Sequence, residues 1–472
     1  MDEIKFGTGG WRAVIGEDFT RTNVQRIANG LALLMKLQQK TDKPVVIGYD
    51  RRFLSKQAAE WFADVLNKNN IDVYFLKRSA PTPLIMHTVK DKELHYGVEI
   101  TASHNPSSYN GIKIIIEEGR DADIKTTTLL ERLIAQNDNF KQDIHYKEPI
   151  RGDLIYIDNP FNNYIDDILK QIDTESLRNR GLRMLFDSMH GSGTYPLLTI
   201  FYTARCTIDT INTNKDAYFG GLMPAPTEST LVELKNEVVQ GCYDLGIALD
   251  GDGDRLGIID NSGRYMTANE ILCMLYYYLV KYQGWKGPVV RNLATTHMLD
   301  KIAESFGEKC YEVPIGFKYI SSKIDEVDAV LGGESSGGLT VRGHIHGKDS
   351  IYAASLFAEM LSVMKKTPSE IMSELESQFG KFEMVEDNLK FTMDKKESIN
   401  KVLMIDKQLP SFNNEIVKVN YEDGCKVYFE NGDFVICRFS GTEPLLRIFA
   451  ESSNKETAQQ YIKDFKEFIN ID

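Results

Sequence analysis

Four separated stretches of this chain carry residues that could do chemistry. The first, Ile100-Thr-Ala-Ser-His-Asn-Pro106, displays Ser103 on a loop. Ahead of it Tyr96–Ile100 reads as a strand; behind it Asn110-Gly111 marks a tight turn into a second apolar run, Ile112–Ile116. Pro106 locks the loop and denies it helical continuation. A serine presented this way suits holding a phosphoryl group, because a serine phosphate monoester hydrolyses very slowly unless catalysed. An ordinary polar connector is the alternative for this stretch taken alone.

The second stretch, Asp250-Gly-Asp-Gly-Asp-Arg255, follows the strand-like run Leu245–Leu249, at the carboxyl end where α/β sheets place ligands. Carboxylates at alternate positions, with glycines letting the backbone curl, can converge on one hard cation such as magnesium. An EF-hand is excluded, since its sixth and twelfth positions would here be Arg255 and Asn261. The third stretch, Gly332-Gly-Glu-Ser-Ser-Gly-Gly338, contains the Gly-x-Ser-x-Gly of a hydrolase elbow. No histidine follows His346, however, and glycines replace the expected helix. A permissive loop presenting Glu334 and Ser336 to sugar hydroxyls fits better. The fourth, Arg438-Phe-Ser-Gly-Thr-Glu-Pro444 with Arg447, offers backbone N–H groups and hydroxyls from Ser440, Gly441 and Thr442 beside a guanidinium fork, a phosphate pocket. Two glycine-rich segments, Phe6–Arg12 and His190–Pro196, lack the context of a dinucleotide fingerprint. His344 and His346 lack a third metal ligand nearby and read as a surface loop.

These residues must be positioned by α/β alternation, which runs through most of the chain and predicts a mostly parallel sheet. Thr22-Asn-Val-Gln25 is a capping-box pattern expected to open a helix to about Gln38, and Thr267-Ala-Asn-Glu270 is another. A further helix is expected over Thr227–Gln240. At one domain per ~150 residues, 472 residues predict about three domains. The charged stretch Asp138–Gly152 reads as a boundary, and after Gln378–Phe382 the pattern turns β-rich with a final helix, Lys455–Ile469. We expect α/β units over 1–148, 149–260 and 261–378, then an α+β unit over 379–472.

A net charge of −13 argues against nucleic acid as the main partner, although local Arg and Lys clusters can still bind anions. Six scattered cysteines without a Cys-x-x-Cys pair read as reduced thiols of a cytoplasmic protein. The amino terminus is not a signal peptide, and the longest strongly apolar run, Ile271–Val280, is too short to span a bilayer.

Taken together, the four stretches resemble the α-D-phosphohexomutases, with the motifs in family order from Phe6 to Arg447. The resemblance implies three mixed α/β domains and a C-terminal α+β domain around a central cleft. It implies phosphorylation of Ser103; magnesium bound by Asp250, Asp252, Asp254 and the Ser103 phosphate; and sugar bound by Glu334 and Ser336. Arg438, Ser440, Gly441, Thr442 and Arg447 would hold the unreacting phosphate, with Arg12, Lys113 and Arg255 adding positive charge at the transferring one. Lys348 is the candidate general acid/base and His104 its rival. Gly316-Phe-Lys-Tyr-Ile320, the Lys348-Asp349 pair and Gly338, where mannose- or glucosamine-handling members often carry histidine, are similar to the glucose branch. The usual glycine after Lys-Asp is replaced by Ser350. The expected reaction interconverts glucose 1-phosphate and glucose 6-phosphate through glucose 1,6-bisphosphate, which also activates the enzyme. Mannose phosphate, or both sugars, is the runner-up; a metal-dependent sugar-phosphate phosphatase is a remote third. A hexose phosphate is thus the expected partner of a monomer or small homo-oligomer.

Overall fold

A computed structural model describes residues 3–7, 9–137, 154–157, 159–391, 393–439 and 445–469. The expected boundary at Asp138–Gly152 and three of the expected phosphate-loop residues, Ser440, Gly441 and Thr442, lie outside these. The chain separates into two units, residues up to 271 with 336–368, and residues 272–335 with 369 onward.

In the first unit, strands β1 (Trp11–Val14), β2 (Val45–Tyr49), β3 (Val73–Leu76), β4 (Tyr96–Ile100), β5 (Tyr109–Ile116), β6 (Arg120–Asp121) and β7 (Leu154–Ile157) form one sheet. Its order is β1-β5-β4-β2-β3-β7, with β6 on β5. β2 and β4 are buried throughout, as an inner strand covered on both faces must be. The sheet is mixed: β4, β2, β3 and β7 run parallel, while β5 returns antiparallel from β4. The loop over 101–108 that carries Ser103 is too short for the crossover a parallel neighbour needs. Helix Arg21–Leu37 buries Val24, Ile27, Ala28, Leu31, Leu34 and Met35 on this sheet's core, a helical spacing. Its cap is Thr20, whose hydroxyl accepts from Asn23 N, not the expected Thr22. Thr20 is extended, so only its side chain can reach the free N–H groups of the first turn.

The second sheet of this unit has β8 (Arg183–Asp187), β9 (Thr207–Ile211), β10 (Leu245–Leu249), β11 (Leu256–Asp260) and β12 (Tyr265–Met266), ordered β12-β11-β10-β8-β9. The hairpin between β10 and β11 carries the three aspartates. The helix expected from Thr227 starts only at Val232, because Thr227–Leu231 closes a turn in which Thr227 N donates to Thr230 Oγ1. Thr267 and Glu270 do form the expected reciprocal cap.

In the second unit, β13 (Val289–Asn292) pairs in parallel with β14 (Cys310–Val313) and with β15 (Leu331–Gly333). Residues 336–368 belong to the first unit and carry β16 (Leu339–Val341) and helix Ser350–Met364. The second unit also holds an antiparallel sheet of β17 (Glu383–Lys390), β18 (Ile416–Asn420), β19 (Cys425–Phe429), β20 (Phe434–Phe439) and β21 (Leu445–Ser452), ordered β17-β21-β20-β19-β18, with helix Lys455–Phe468 packed on it. Leu293, Ala294, Phe434, Ile436 and Phe449 share one apolar cluster that joins β13's end to this sheet. In the same unit, half-buried Glu312 accepts from Arg291 Nη1 at 2.6 Å, from Lys426 Nζ at 2.6 Å and from the Tyr428 hydroxyl. Among the described residues, no helix is long and apolar enough to cross a membrane.

Candidate active site

Ser103 sits fully buried where β4 ends, with φ of +51°. Its hydroxyl donates to Asp250 Oδ2 at 2.9 Å, and His104 Nδ1 stands 3.3 Å from the same oxygen. The loop is held from beneath by Arg52, which follows β2. Its Nη1 donates to the carbonyls of Pro106 and Tyr109, and its Nη2 to those of Asn105 and Ser103. Arg12, from β1, donates to Asn105 Oδ1 at 2.6 Å.

Asp250, Asp252 and Asp254 converge, with one oxygen from each lying within 4.8 Å of the others, all buried. Asp250 Oδ1 accepts the backbone N–H groups of Asp254 and Arg255, which curls the loop over its own first residue. Thr82 Oγ1 donates to Asp252 Oδ2. Lys113 Nζ, from β5, lies 2.7 Å from Asp252 Oδ2 and 2.6 Å from Asp254 Oδ2; Lys348 Nζ lies 3.0 Å from Asp254 Oδ2. The buried Oδ1 atoms of Asp252 and Asp254 accept no hydrogen bond. A buried carboxylate oxygen without a partner is costly, and all-oxygen donors suit a hard divalent cation, so this cluster fits magnesium.

The electrostatics follow from burial and crowding. Burial raises the Asp250 carboxyl well above the usual range, and Asp252 and Asp254 push it further up. Burial also works against the Asp254 charge, but Lys113, Lys348 and Arg255 outweigh it and hold Asp254 well below that range. Lys113 is pushed up, its desolvation more than reversed by Asp252 and Asp254. Burial, then Arg255 and Arg12, hold His104 well below the histidine range, so its imidazole is neutral at pH 7. Burial and Arg255 lower Arg12 as well. Asp252 and Asp254 offset part of that crowding of like charge on Arg12.

Lys348 is set by its neighbours. Asp349, fully buried, accepts from Ile351 N and Tyr352 N and so caps helix Ser350–Met364. It also accepts from the Tyr164 hydroxyl and lies 2.6 Å from His344 Nε2. His344 is therefore a buried partner of Asp349, not a surface-loop residue, while His346 meets Arg120. Ser336 belongs to the first unit and is exposed.

In the second unit, Glu334 ends β15 and is buried; its Oε1 accepts from Asn292 Nδ2 at 3.3 Å and from Gly316 N at 3.2 Å. Arg438 stands directly opposite Arg447 across β20 and β21. Asp423 pairs with Arg438 through Oδ1 and accepts Ile315 N through Oδ2 at 3.0 Å. The sequence reading missed Asp50, Arg52, Thr82 and Asp423. An Asp-x-Arg at the carboxyl end of a buried strand was the one signal for the first two.

Four family profiles match the chain in order. They are phosphoglucomutase/phosphomannomutase alpha/beta/alpha domain I over residues 3–141, domain II over 162–263, domain III over 267–379, and the C-terminal domain over 388–468. A phosphoglucomutase/phosphomannomutase of Thermococcus kodakarensis is 27% identical over 97% of this chain and 96% of its own. A phosphoglucosamine/phosphogalactosamine mutase of Sulfurisphaera tokodaii is 25% identical over 98% of both. Among solved structures, a phosphomannomutase-like protein of Thermus thermophilus superimposes with a TM-score of 0.85 at 25% identity, covering 99% of each chain. The open form of parafusin, a phosphoglucomutase of Paramecium, gives 0.80 at 21% identity over 99% of this chain and 94% of its own. Fold and site therefore define a four-domain phosphoryl-transfer protein. The chain belongs to the α-D-phosphohexomutase superfamily, and it is an isomerase, an intramolecular phosphotransferase.

Proposed function

We propose that the protein is a phosphoglucomutase that interconverts glucose 1-phosphate and glucose 6-phosphate through phospho-Ser103. The observation that carries the reading is Ser103 Oγ at 2.9 Å from Asp250, within a buried cluster of carboxylates crossed by Lys113 and Lys348. Asp250, Asp252, Asp254 and the Ser103 phosphate are the proposed magnesium ligands. The bound cation would offset charge on the transferring phosphoryl group.

Phospho-Ser103 gives its phosphoryl group to the 6-hydroxyl of glucose 1-phosphate. The bond from phosphorus to Ser103 Oγ breaks, a bond to the sugar oxygen forms, and the hydroxyl proton passes to the general base. Lys348 is our candidate for that base; His104, neutral and 3.3 Å from Ser103 Oγ, is the competitor. Glucose 1,6-bisphosphate then reorients, and its 1-phosphoryl group returns to Ser103. Arg12, Lys113 and Arg255 offset charge at the transferring group. Glu334, Gly316 and Ser336 are the proposed sugar contacts. Arg438 and Arg447, opposite each other across β20 and β21, bring two guanidinium forks to neighbouring positions and suit the second phosphate. Ser440, Gly441 and Thr442 complete that proposed pocket.

A second reading, phosphomannomutase or a dual-specificity enzyme, draws on the names of the Thermococcus kodakarensis and Thermus thermophilus proteins. The Sulfurisphaera tokodaii relative is named for glucosamine and galactosamine phosphates, so a preference for glucosamine 1-phosphate would overturn both readings. The deciding experiment compares glucose, mannose and glucosamine 1-phosphates in a coupled assay with magnesium and trace glucose 1,6-bisphosphate. Preference for glucose supports the first reading, and comparable glucose and mannose rates support the second. Phosphate release without isomerisation would sink both.

A further inference from the structure

Ser103 is held in a conformation it does not favour. A residue with a Cβ at φ of +51° is strained and persists only where the surroundings over-determine it. Here both sides of its backbone lead to one buried ion pair. On the amide side, Ser103 N donates to Thr101 Oγ1 at 2.8 Å, and Thr101 Oγ1 donates to Asp50 Oδ2 at 2.7 Å. On the carbonyl side, Ser103 O accepts from Arg52 Nη2. The circle closes because Arg52 Nε lies 3.2 Å from Asp50 Oδ2, with both side chains fully buried. Asp50 is fixed in turn through Oδ1, which accepts from Arg52 N at 2.9 Å and Ser55 Oγ at 2.6 Å.

The chemistry of the carbonyl side calls for arginine. Four carbonyls, of residues 103, 105, 106 and 109, converge on one guanidinium. The two terminal nitrogens of a guanidinium carry four N–H donors for those four acceptors, while its charge stays paired with the Asp50 carboxylate; an ammonium has three donors. The Phe219 ring, 4.8 Å from the guanidinium carbon, covers its face. We propose that Arg52, oriented by Asp50, is a positioning residue that sets the Ser103 hydroxyl against Asp250. It acts through the loop backbone and touches no reacting atom. The inference rests on Ser103 being the phosphoryl carrier.

The test uses the full-length enzyme with Arg52→Lys, Thr101→Val and Ser103→Ala, each checked by thermal melting. The readouts are kcat and KM for glucose 1-phosphate, and the rate at which glucose 1,6-bisphosphate phosphorylates residue 103, followed by intact mass. Arg52→Lys is expected to lower kcat and the phosphorylation rate about 100-fold while KM moves less than threefold, as for a reacting group displaced by about 1 Å. If Arg52→Lys does not fold, Thr101→Val, which cuts only the amide side, is expected to lower kcat about tenfold at constant KM. A folded Arg52→Lys with wild-type kcat, or a loss confined to KM, overturns the proposal; where only Thr101→Val folds, its wild-type kcat does so. Activity in Ser103→Ala would instead overturn the carrier assignment itself.

Discussion

Gly338 lies directly against the Lys348 side chain: a Cβ built at 338 would stand 2.1 Å from Lys348 Cδ and 2.7 Å from its Cγ. The absence of a side chain at 338 and the seat of Lys348 beside Asp254 are thus one choice. Gly338→Ala should swing Lys348 away and lower kcat tenfold or more, because misplacing a reacting group by about 1 Å costs up to 10²-fold. Steady-state kinetics with glucose 1-phosphate check this. A wild-type kcat would count against Lys348 as the acid/base.

Lys113 is the permanent countercharge of Asp252 and Asp254. Removing it takes the ion pair from buried Asp252 and leaves Asp254 with Lys348, and breaking such a buried pair costs about 3–5 kcal/mol. Lys113→Met should therefore melt markedly earlier than the wild type. The deficit should shrink in millimolar magnesium, since a cation bound to the same carboxylates restores the balance. Thermal scans with and without magnesium read both effects, and an equal deficit in the two conditions would argue against metal binding there.

Chelation should abolish turnover, and added magnesium should restore it. In Asp252→Asn the magnesium concentration for half-restoration should rise at least tenfold. Titration by coupled assay measures it, and an unmoved midpoint would take Asp252 out of the metal site.

Asp423 ties the Arg438 guanidinium to the backbone beside Gly316. Asp423→Asn keeps the acceptor for Ile315 N but drops the charge on Arg438. KM for glucose 1-phosphate should rise about tenfold, the worth of one charge-assisted contact, with kcat changed little. A fall in kcat at constant KM would contradict Arg438's proposed phosphate-holding role.

Stability should depend on His297. Its Nε2 accepts from Lys426 Nζ at 3.1 Å and its Nδ1–H donates to the Gly432 carbonyl, so the folded chain holds it neutral. Burial, then Arg291, push it down to about 4. Between pH 6.5 and 4 the unfolded chain takes up a proton there that the folded chain refuses, so stability falls as pH falls through that window. The loss is on the order of 3 kcal/mol by about pH 4. Urea midpoints against pH should show a shallower slope in His297→Gln; an identical slope would assign the effect elsewhere.

The motifs at Ser103 and Asp250 were legible because each is a contiguous run whose residue types state their own chemistry, and the structure brings both runs to one buried point. Arg52 was not legible: its partners are carbonyls, which every residue carries, and only the folded loop turns four of them inward. His344 was misread for a related reason, since the Asp349 that pairs with it is itself fixed by Tyr164, nearly two hundred residues earlier in the chain. Helix Ile124–Gln136 escaped because only Leu130 and Ile134 are buried along it, too thin an apolar stripe to announce a period. The sheet expected to be mostly parallel is mixed because strand alternation alone does not reveal where a short loop forces a return.

The discontinuity of the first unit has a consequence for synthesis. Lys348 and helix Ser350–Met364 belong with Ser103 and the three aspartates, yet the 64 residues from 272 to 335 are made in between and belong elsewhere. As the chain leaves the ribosome, the serine loop and its acidic partner emerge early and wait. Their lysine is delivered only after the first part of another unit has been spun out ahead of it. A chain stalled before residue 348 would carry Lys113 as the sole lysine on those aspartates. On the proposed role of Lys348, competence for turnover is expected only once residue 348 has been made.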